Sequence, residues 1–147
     1  MIEKAKLERA IREYEEKAYR VVGKQKHSAV KVCLWCKKAL RGEGFCYKHK
    51  FYGIASHRCV QITPALFWCT HRCLFCWRNV DATFGTSMSN VEIDEPSEIV
   101  DACIKAHKEL LQGFKGNPRV SRKIFEEAMR PKHTVSYTHL RAHETEA

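Results

Sequence analysis

An α/β fold is the class this 147-residue sequence predicts, on three observations: two stretches with apolar residues at helical spacing, one short alternating run of β-prone residues, and a segment from Cys33 to Cys76 holding seven of the eight cysteines. Leu7, Ile11, Tyr14 and Ala18 recur at helical spacing while Glu8, Arg12, Glu15 and Lys17 charge the other face, so residues 1–23 read as an N-terminal helix stopped at Gly23. Residues 24–58 are basic, aromatic and broken by Arg41-Gly42-Glu43-Gly44 and Tyr52-Gly53, which mark turns. An irregular cap, held by metal rather than by a core, is expected there. Cys59-Val60-Gln61-Ile62-Thr63 alternates and ends at Pro64, the pattern of a strand feeding the loop that carries Cys69, Cys73 and Cys76.

Beyond a linker at 81–90, Pro96 opens a second helix at a position where its missing N–H costs nothing. Ile99, Val100, Cys103, Ile104, His107, Leu110 and Leu111 give that helix a wide apolar stripe, closed by Gly113. Cys103, lying on this stripe, reads as a core thiol. Asn117-Pro118 has the form of a helix cap and first turn, followed by Val120, Ile124, Phe125, Ala128 and Met129 on one face before Pro131.

With 44% apolar and 29% charged residues the composition is that of one ordinary globular domain. The net charge of +9 favours polyanionic partners, among which nucleic acid is the commonest. No apolar run approaches the roughly 20 residues that span a bilayer. Met1-Ile2-Glu3-Lys4 lacks the order of a signal peptide, so no membrane association and a cytoplasmic location are expected. In that reducing compartment, cysteines serve as metal ligands or catalytic thiols rather than as a disulfide framework.

Cys69-Thr-His-Arg-Cys73-Leu-Phe-Cys76 has the spacing C-x3-C-x2-C. Structural zinc collects four ligands, usually as two C-x2-C pairs, whereas three thiolates on one loop saturate three corners of a four-iron cubane and leave the fourth iron open. S-adenosylmethionine can chelate such an iron, and one electron then cleaves its carbon–sulfur bond to give a radical. A four-cysteine zinc site of Cys33, Cys36, Cys73 and Cys76 is the rival, at the cost of a long separation and of leaving Cys46, Cys59 and Cys69 without a role.

The blocks Leu40-Arg41-Gly42-Glu43-Gly44, Cys46-Tyr47-Lys48, Phe51-Tyr52-Gly53-Ile54, Ser56-His57-Arg58-Cys59-Val60-Gln61, Thr63-Pro64-Ala65 and Trp68-Cys69-Thr70-His71-Arg72-Cys73-Leu74-Phe75-Cys76-Trp77-Arg78 together resemble the radical S-adenosylmethionine family of 4-demethylwyosine synthases, in its archaeal-type form, up to about His133. The resemblance implies an N-terminal portion of a partial (β/α)6 barrel beginning at residue 59 and running to 133, behind the cysteine-rich cap at 24–58. It implies a lyase that condenses pyruvate with N1-methylguanosine in the anticodon loop of phenylalanine tRNA. Two [4Fe-4S] clusters follow, one on Cys69, Cys73 and Cys76 that holds S-adenosylmethionine, the other on Cys33, Cys46 and Cys59, which stand thirteen positions apart and would hold pyruvate. Cys36 departs from that pattern and is either an additional ligand or a bystander. Phe75 is expected beside the adenine of the cofactor, and Lys48 is the lysine chosen to form an imine with pyruvate.

Arg41, Lys48, Lys50, Arg58, Arg72 and Arg78, interleaved with Trp35, Tyr47, Phe51, Tyr52 and Trp77, are the residues expected to track phosphates and stack on an unpaired base. Too few residues precede Cys33 for a flavodoxin-like domain, so an external electron donor is expected. Residues 134–147 leave the family pattern and read as a non-native tail, which makes the chain a truncated and inactive portion of an enzyme, with the apolar face of the second helix largely uncovered. The alternative is a non-catalytic iron–sulfur or zinc module that binds RNA.

Overall fold

A computed structural model of the chain describes residues 3–136. The elements run α1 (Lys4–Glu16), β1 (Tyr19–Val22), β2 (Ser28–Lys31), α2 (Leu34–Leu40), α3 (Tyr47–Tyr52), β3 (Cys59–Thr63), α4 (Pro96–Gln112), α5 (Arg122–Ala128) and β4 (His133–Val135). One sheet has the order β1-β2-β3-β4, with β1-β2 and β2-β3 antiparallel and β3-β4 parallel.

The first helix is shorter than its periodicity implied. Ala18 adopts φ 62°, a left-handed conformation that ends helical propagation, and the β-prone Tyr19-Arg20-Val21-Val22 then pairs with β2. Gly23, expected to stop a helix, instead turns the β1-β2 hairpin at φ 85°, where an added Cβ would collide with the Asp94 carboxylate. His27 clasps this hairpin to the rest of the sheet. Its Nδ1 lies 2.6 Å from the Pro64 carbonyl and its Nε2 accepts from the Asp94 N–H at 3.0 Å, which fixes the Nδ1-protonated tautomer.

Residues 24–58 are not the irregular cap expected. They hold β2, α2 and α3, and α2 packs into a core: Val32, Cys36 and Leu40 are buried against Leu111 and Ala128, with Ile124, Phe125 and Met129 alongside. A turn follows α2 at Arg41-Gly42, but Tyr52-Gly53 is the end of α3 and its left-handed cap, and these helices of seven and six residues are too short to show a helical period.

The strand read at Cys59–Thr63 is β3, and α4 begins at Pro96 as its first-turn proline implies. Its stripe is covered. Ile99, Cys103 and Ala106 are buried against Val22, Val30, Val60 and Ile62, because β1 and β2 supply sheet surface that the sequence did not reveal; Val100 alone of the stripe is exposed. The following helix starts later than Asn117-Pro118 implied. Ser121 is its cap, accepting from the Ile124 N–H, while Asn117 Oδ1 closes a local turn with the Arg119 N–H at 2.9 Å.

Parallel pairing of β4 with β3 places Cys59 opposite His133, Val60 opposite Thr134 and Gln61 opposite Val135. Thr134 and Val135, expected in a non-native tail, thus belong to the sheet; 137–147 lie outside the described residues. The succession β3-α4-α5-β4 forms one parallel pair, and among the described residues no barrel closes.

Candidate functional site

Six of the cysteines line one cavity of about 490 Å³, within the range of small-molecule sites. They are Cys33, Cys46 and Cys59 on one side and Cys69, Cys73 and Cys76 on the other; Lys48, Phe75, Gln61, Thr63, Trp68 and Arg78 also line it.

The first three thiols stand at the starts of regular elements. Cys33 immediately precedes α2, Cys46 precedes α3, and Cys59 opens β3 after a 3-10 turn at Ser56–Arg58. Packing therefore places Cys33 and Cys59, whereas α3 buries no residue and is held through Phe45, whose ring stacks on His49 and meets His57 edge to face. Alternation along β3 turns Val60 and Ile62 to the core and leaves Cys59, Gln61 and Thr63 on the cavity side. Burial raises the Cys59 pKa; Lys48 opposes the shift, and the nearby Cys46 and Cys33 add to it. His57, in the turn before Cys59, meets Glu127 of α5 at 2.7 Å, and Arg58 donates to the Arg130 carbonyl at 2.7 Å.

The other three thiols lie on a loop without helix or strand, anchored at both ends. Leu66, Phe67 and Trp68 are buried in the cluster formed with Tyr14, Tyr19 and Val21, and the Cys69 N–H donates to the Gly85 carbonyl at 3.1 Å. On the exit side, Tyr19 OH donates to the Trp77 carbonyl, Trp77 stacks on the Tyr19 ring at 5.4 Å, and Tyr14 OH both donates to the Asn79 carbonyl and accepts from the Asn79 N–H. Burial pushes the Tyr19 phenol up to about 12, so it remains a donor at neutral pH. Arg78 closes the loop on itself through the Leu66 carbonyl at 2.8 Å.

Cys36 faces elsewhere. Its thiol is buried in the α2-α5 core, within 3.5 Å of the His57 carbonyl, and burial, with Cys33 and Cys59 adding, pushes its pKa up to about 12. The four-cysteine set that includes it is not assembled, and among the described residues no three His, Cys, Asp or Glu side chains converge tightly enough to hold a single ion. Cys103 is likewise buried in the core, its pKa raised to about 11 by burial.

Of the residues expected to face RNA, several arginines have structural partners: Arg41 pairs with Glu43, Arg72 with Asp81, and Arg58 and Arg78 bind backbone carbonyls. Trp35, Tyr47, Phe51 and Tyr52 are exposed, and Lys38 and Lys50 lie over the Trp35 and Phe51 rings. Sequence reasoning missed the Tyr14 and Tyr19 anchors, the His57–Glu127 pair and Gln61. Gln61 alone had a signal, its alternation with Cys59.

No protein-family model matches the chain. An S-adenosyl-L-methionine-dependent tRNA 4-demethylwyosine synthase of Pyrococcus abyssi is 52% identical over 122 residues, covering 83% of this chain and 35% of its own length. The human enzyme of that name, TYW1, is 44% identical over 118 residues, 80% of this chain and 16% of its own. A solved structure of TYW1 with a bound lysine–pyruvate adduct superposes with a TM-score of 0.71 at 35% identity, over 91% of this chain and 41% of that one. The chain is a partial homologue of the tRNA 4-demethylwyosine synthases. It spans about a third of the length of the archaeal relative.

Proposed function

We propose that the chain forms the part of a radical S-adenosylmethionine lyase that holds two [4Fe-4S] clusters and pyruvate, in an enzyme converting N1-methylguanosine of tRNA(Phe) to 4-demethylwyosine. The observation that carries this reading is the single cavity with two sets of three thiols and one lysine, Lys48. The donor set suits cubanes: each thiolate of a cubane binds a separate iron, so its ligands stand apart and need not converge on one ion. Cys33, Cys46 and Cys59 would hold one cluster, and Cys69, Cys73 and Cys76 the other, each with one open iron; Cys36 is a bystander held in the core. When bound, the clusters and S-adenosylmethionine supply one-electron chemistry and a carbon-centred radical, with an external donor providing the electron.

The chain's own residues do the positioning. Phe75 lines the cavity and offers its ring to the cofactor's adenine. Lys48 attacks the ketone of pyruvate: the Nζ–carbon bond forms, the carbonyl oxygen leaves as water, and the resulting imine fixes the substrate beside the Cys59 side of the cavity. The lysine–pyruvate adduct in the related TYW1 structure supports this assignment. Exposed aromatic rings on α2 and α3, next to lysines and continuous with the cavity rim through Trp35 and Tyr47, provide a stacking surface for the unpaired bases of the anticodon loop.

Anaerobic reconstitution tests the reading. About eight irons per chain, a spectral response to S-adenosylmethionine, and pyruvate trapped on the Lys48 peptide by cyanoborohydride are the expected results. Zinc with little iron would overturn it and leave the non-catalytic RNA-binding module.

A further inference from the structure

We infer that Gln61 is a positioning residue for the 2-oxo acid, its carboxamide N–H donating to the carboxylate of the molecule whose ketone is attacked by Lys48. This inference rests on the pyruvate site proposed above and deepens it.

Gln61 shares the cavity-facing side of β3 with Cys59 and Thr63, about 7 Å along the strand from Cys59 by the two-residue repeat. It thus lies between the Cys59 side of the cavity and the loop of Cys69, Cys73 and Cys76. Its side chain is half-buried, and among the described residues its carboxamide makes no hydrogen bond. Two other polar side chains of the cavity are engaged: Thr63 Oγ1, on the same strand, accepts from the Ala65 N–H at 3.3 Å, and Arg78, on the cysteine loop, donates to the Leu66 carbonyl.

An imine anchors a 2-oxo acid through one atom only, and rotation about the bonds of the lysine side chain leaves the carboxylate and methyl group undirected. A second contact at the carboxylate supplies the missing orientation. Beside six thiols that bind metal as thiolates, a cationic side chain would be drawn to sulfur, whereas a neutral amide donates to a carboxylate without being captured. The match is one of charge and donor type: Gln61 offers two N–H donors and no net charge.

The test uses the reconstituted 147-residue chain. Trapping with cyanoborohydride delivers hydride to the imine carbon, leaving a secondary amine on Lys48 that is read by peptide mass spectrometry as the trapped fraction against pyruvate concentration. Wild-type protein should saturate, and Lys48→Ala should trap nothing at that peptide. Gln61→Leu should raise the half-saturating pyruvate concentration roughly 10- to 100-fold, as loss of a hydrogen bond to a charged group implies, and Gln61→Glu should raise it further by repelling the carboxylate. Iron content and the spectral response to S-adenosylmethionine should match wild type in both variants, which a merely structural loss would not allow. Unchanged half-saturation in Gln61→Leu overturns the inference. So does a variant that traps pyruvate normally but no longer responds to S-adenosylmethionine, which would place Gln61 against that cofactor. If wild-type protein, loaded with iron, traps no pyruvate, the Lys48 reading itself fails and this inference falls with it.

Discussion

The two triads in one cavity are positioned by opposite means. Cys33, Cys46 and Cys59 span 27 residues of sequence; α2 and β3, which Cys33 precedes and Cys59 opens, are fixed by packing, and α3, which buries no residue, is tied to them through Phe45, stacked on His49 and edge to face with His57. Cys69, Cys73 and Cys76 fall within eight residues of one irregular loop, brought near one another by the chain itself. The first set depends on the core, and the second on anchors at the ends of its loop. Perturbing one scaffold should therefore damage one triad and spare the other.

The strongest test removes ligands. Cys73→Ala should abolish the response to S-adenosylmethionine and leave about four irons on the chain, whereas Cys33→Ala should remove about four irons and keep that response. Cys36→Ala should leave the iron count unchanged, because its thiol faces the core. Equal iron loss in Cys36→Ala and Cys33→Ala, by metal analysis, would show that Cys36 is a ligand and that the first triad has no open corner.

Next in size is the core itself. Leu40 of α2 is fully buried among Val32, Cys36, Leu111 and Ala128, so Leu40→Ala should destabilise the fold by about 2–5 kcal/mol in urea unfolding. Its specific signature is selective: at urea concentrations below the midpoint, iron held by Cys33, Cys46 and Cys59 should be released before the signal that responds to S-adenosylmethionine is lost. Simultaneous release would mean that the two triads share one cooperative unit.

Acid should strike the packed side through His107. Its ring on α4 is fully buried, neither nitrogen has a partner among the described residues, and burial lowers its pKa to about 4 from an ordinary 6.5. The unfolded chain binds a proton there that the folded chain does not, so stability is complete above pH 6.5 and falls as pH drops from 6.5 towards 4, by roughly 3 kcal/mol in all. Urea midpoints of the metal-free chain at pH 7 and pH 5 measure this. His107→Leu should flatten the dependence in that window, and an unchanged slope would assign it to other groups.

How much of this was legible depends on the range of each interaction. The three-cysteine loop, β3 and the start of α4 were readable because their signals are local: a spacing, an alternation closed by Pro64, and a first-turn proline. The β1-β2 hairpin was not. Tyr19 to Val22 continue an apolar pattern compatible with the preceding helix, and the left-handed Ala18 that separates the two leaves no mark in composition. The segment 24–58 is opaque for a related reason: α2 owes its order to Leu111 and Ala128, more than 70 and 80 residues away from Leu40, and no window of sequence contains both partners. The likeness of the motifs to a family assigned the thiols and Lys48 their roles, but only the fold shows that Cys36 turns away and that Gln61 turns in.

The smallest expected effect is the most discriminating, because it touches the loop without touching a ligand. Tyr14 and Tyr19 are buried in the core, edge to face at 4.9 Å, yet their hydroxyls bind the backbone at Asn79 and Trp77, just beyond Cys76. Tyr19→Phe keeps the ring, its packing and the stack on Trp77, and deletes only the donor to the Trp77 carbonyl. Loss of one such hydrogen bond costs about 1 kcal/mol, a small shift in the urea midpoint. If the loop is set by its anchors, freeing that carbonyl should broaden the low-temperature magnetic resonance signal that responds to S-adenosylmethionine, since Cys76 then samples more positions. Pyruvate trapping at Lys48 on the other side of the cavity should not change. The double variant Tyr14→Phe/Tyr19→Phe should add to the broadening, because Tyr14 holds Asn79 independently at 3.0 Å. A sharp, wild-type signal in the double variant would show that the loop holds its own geometry through Arg78 and its internal turns, and the contrast between an anchored triad and a packed one would then collapse.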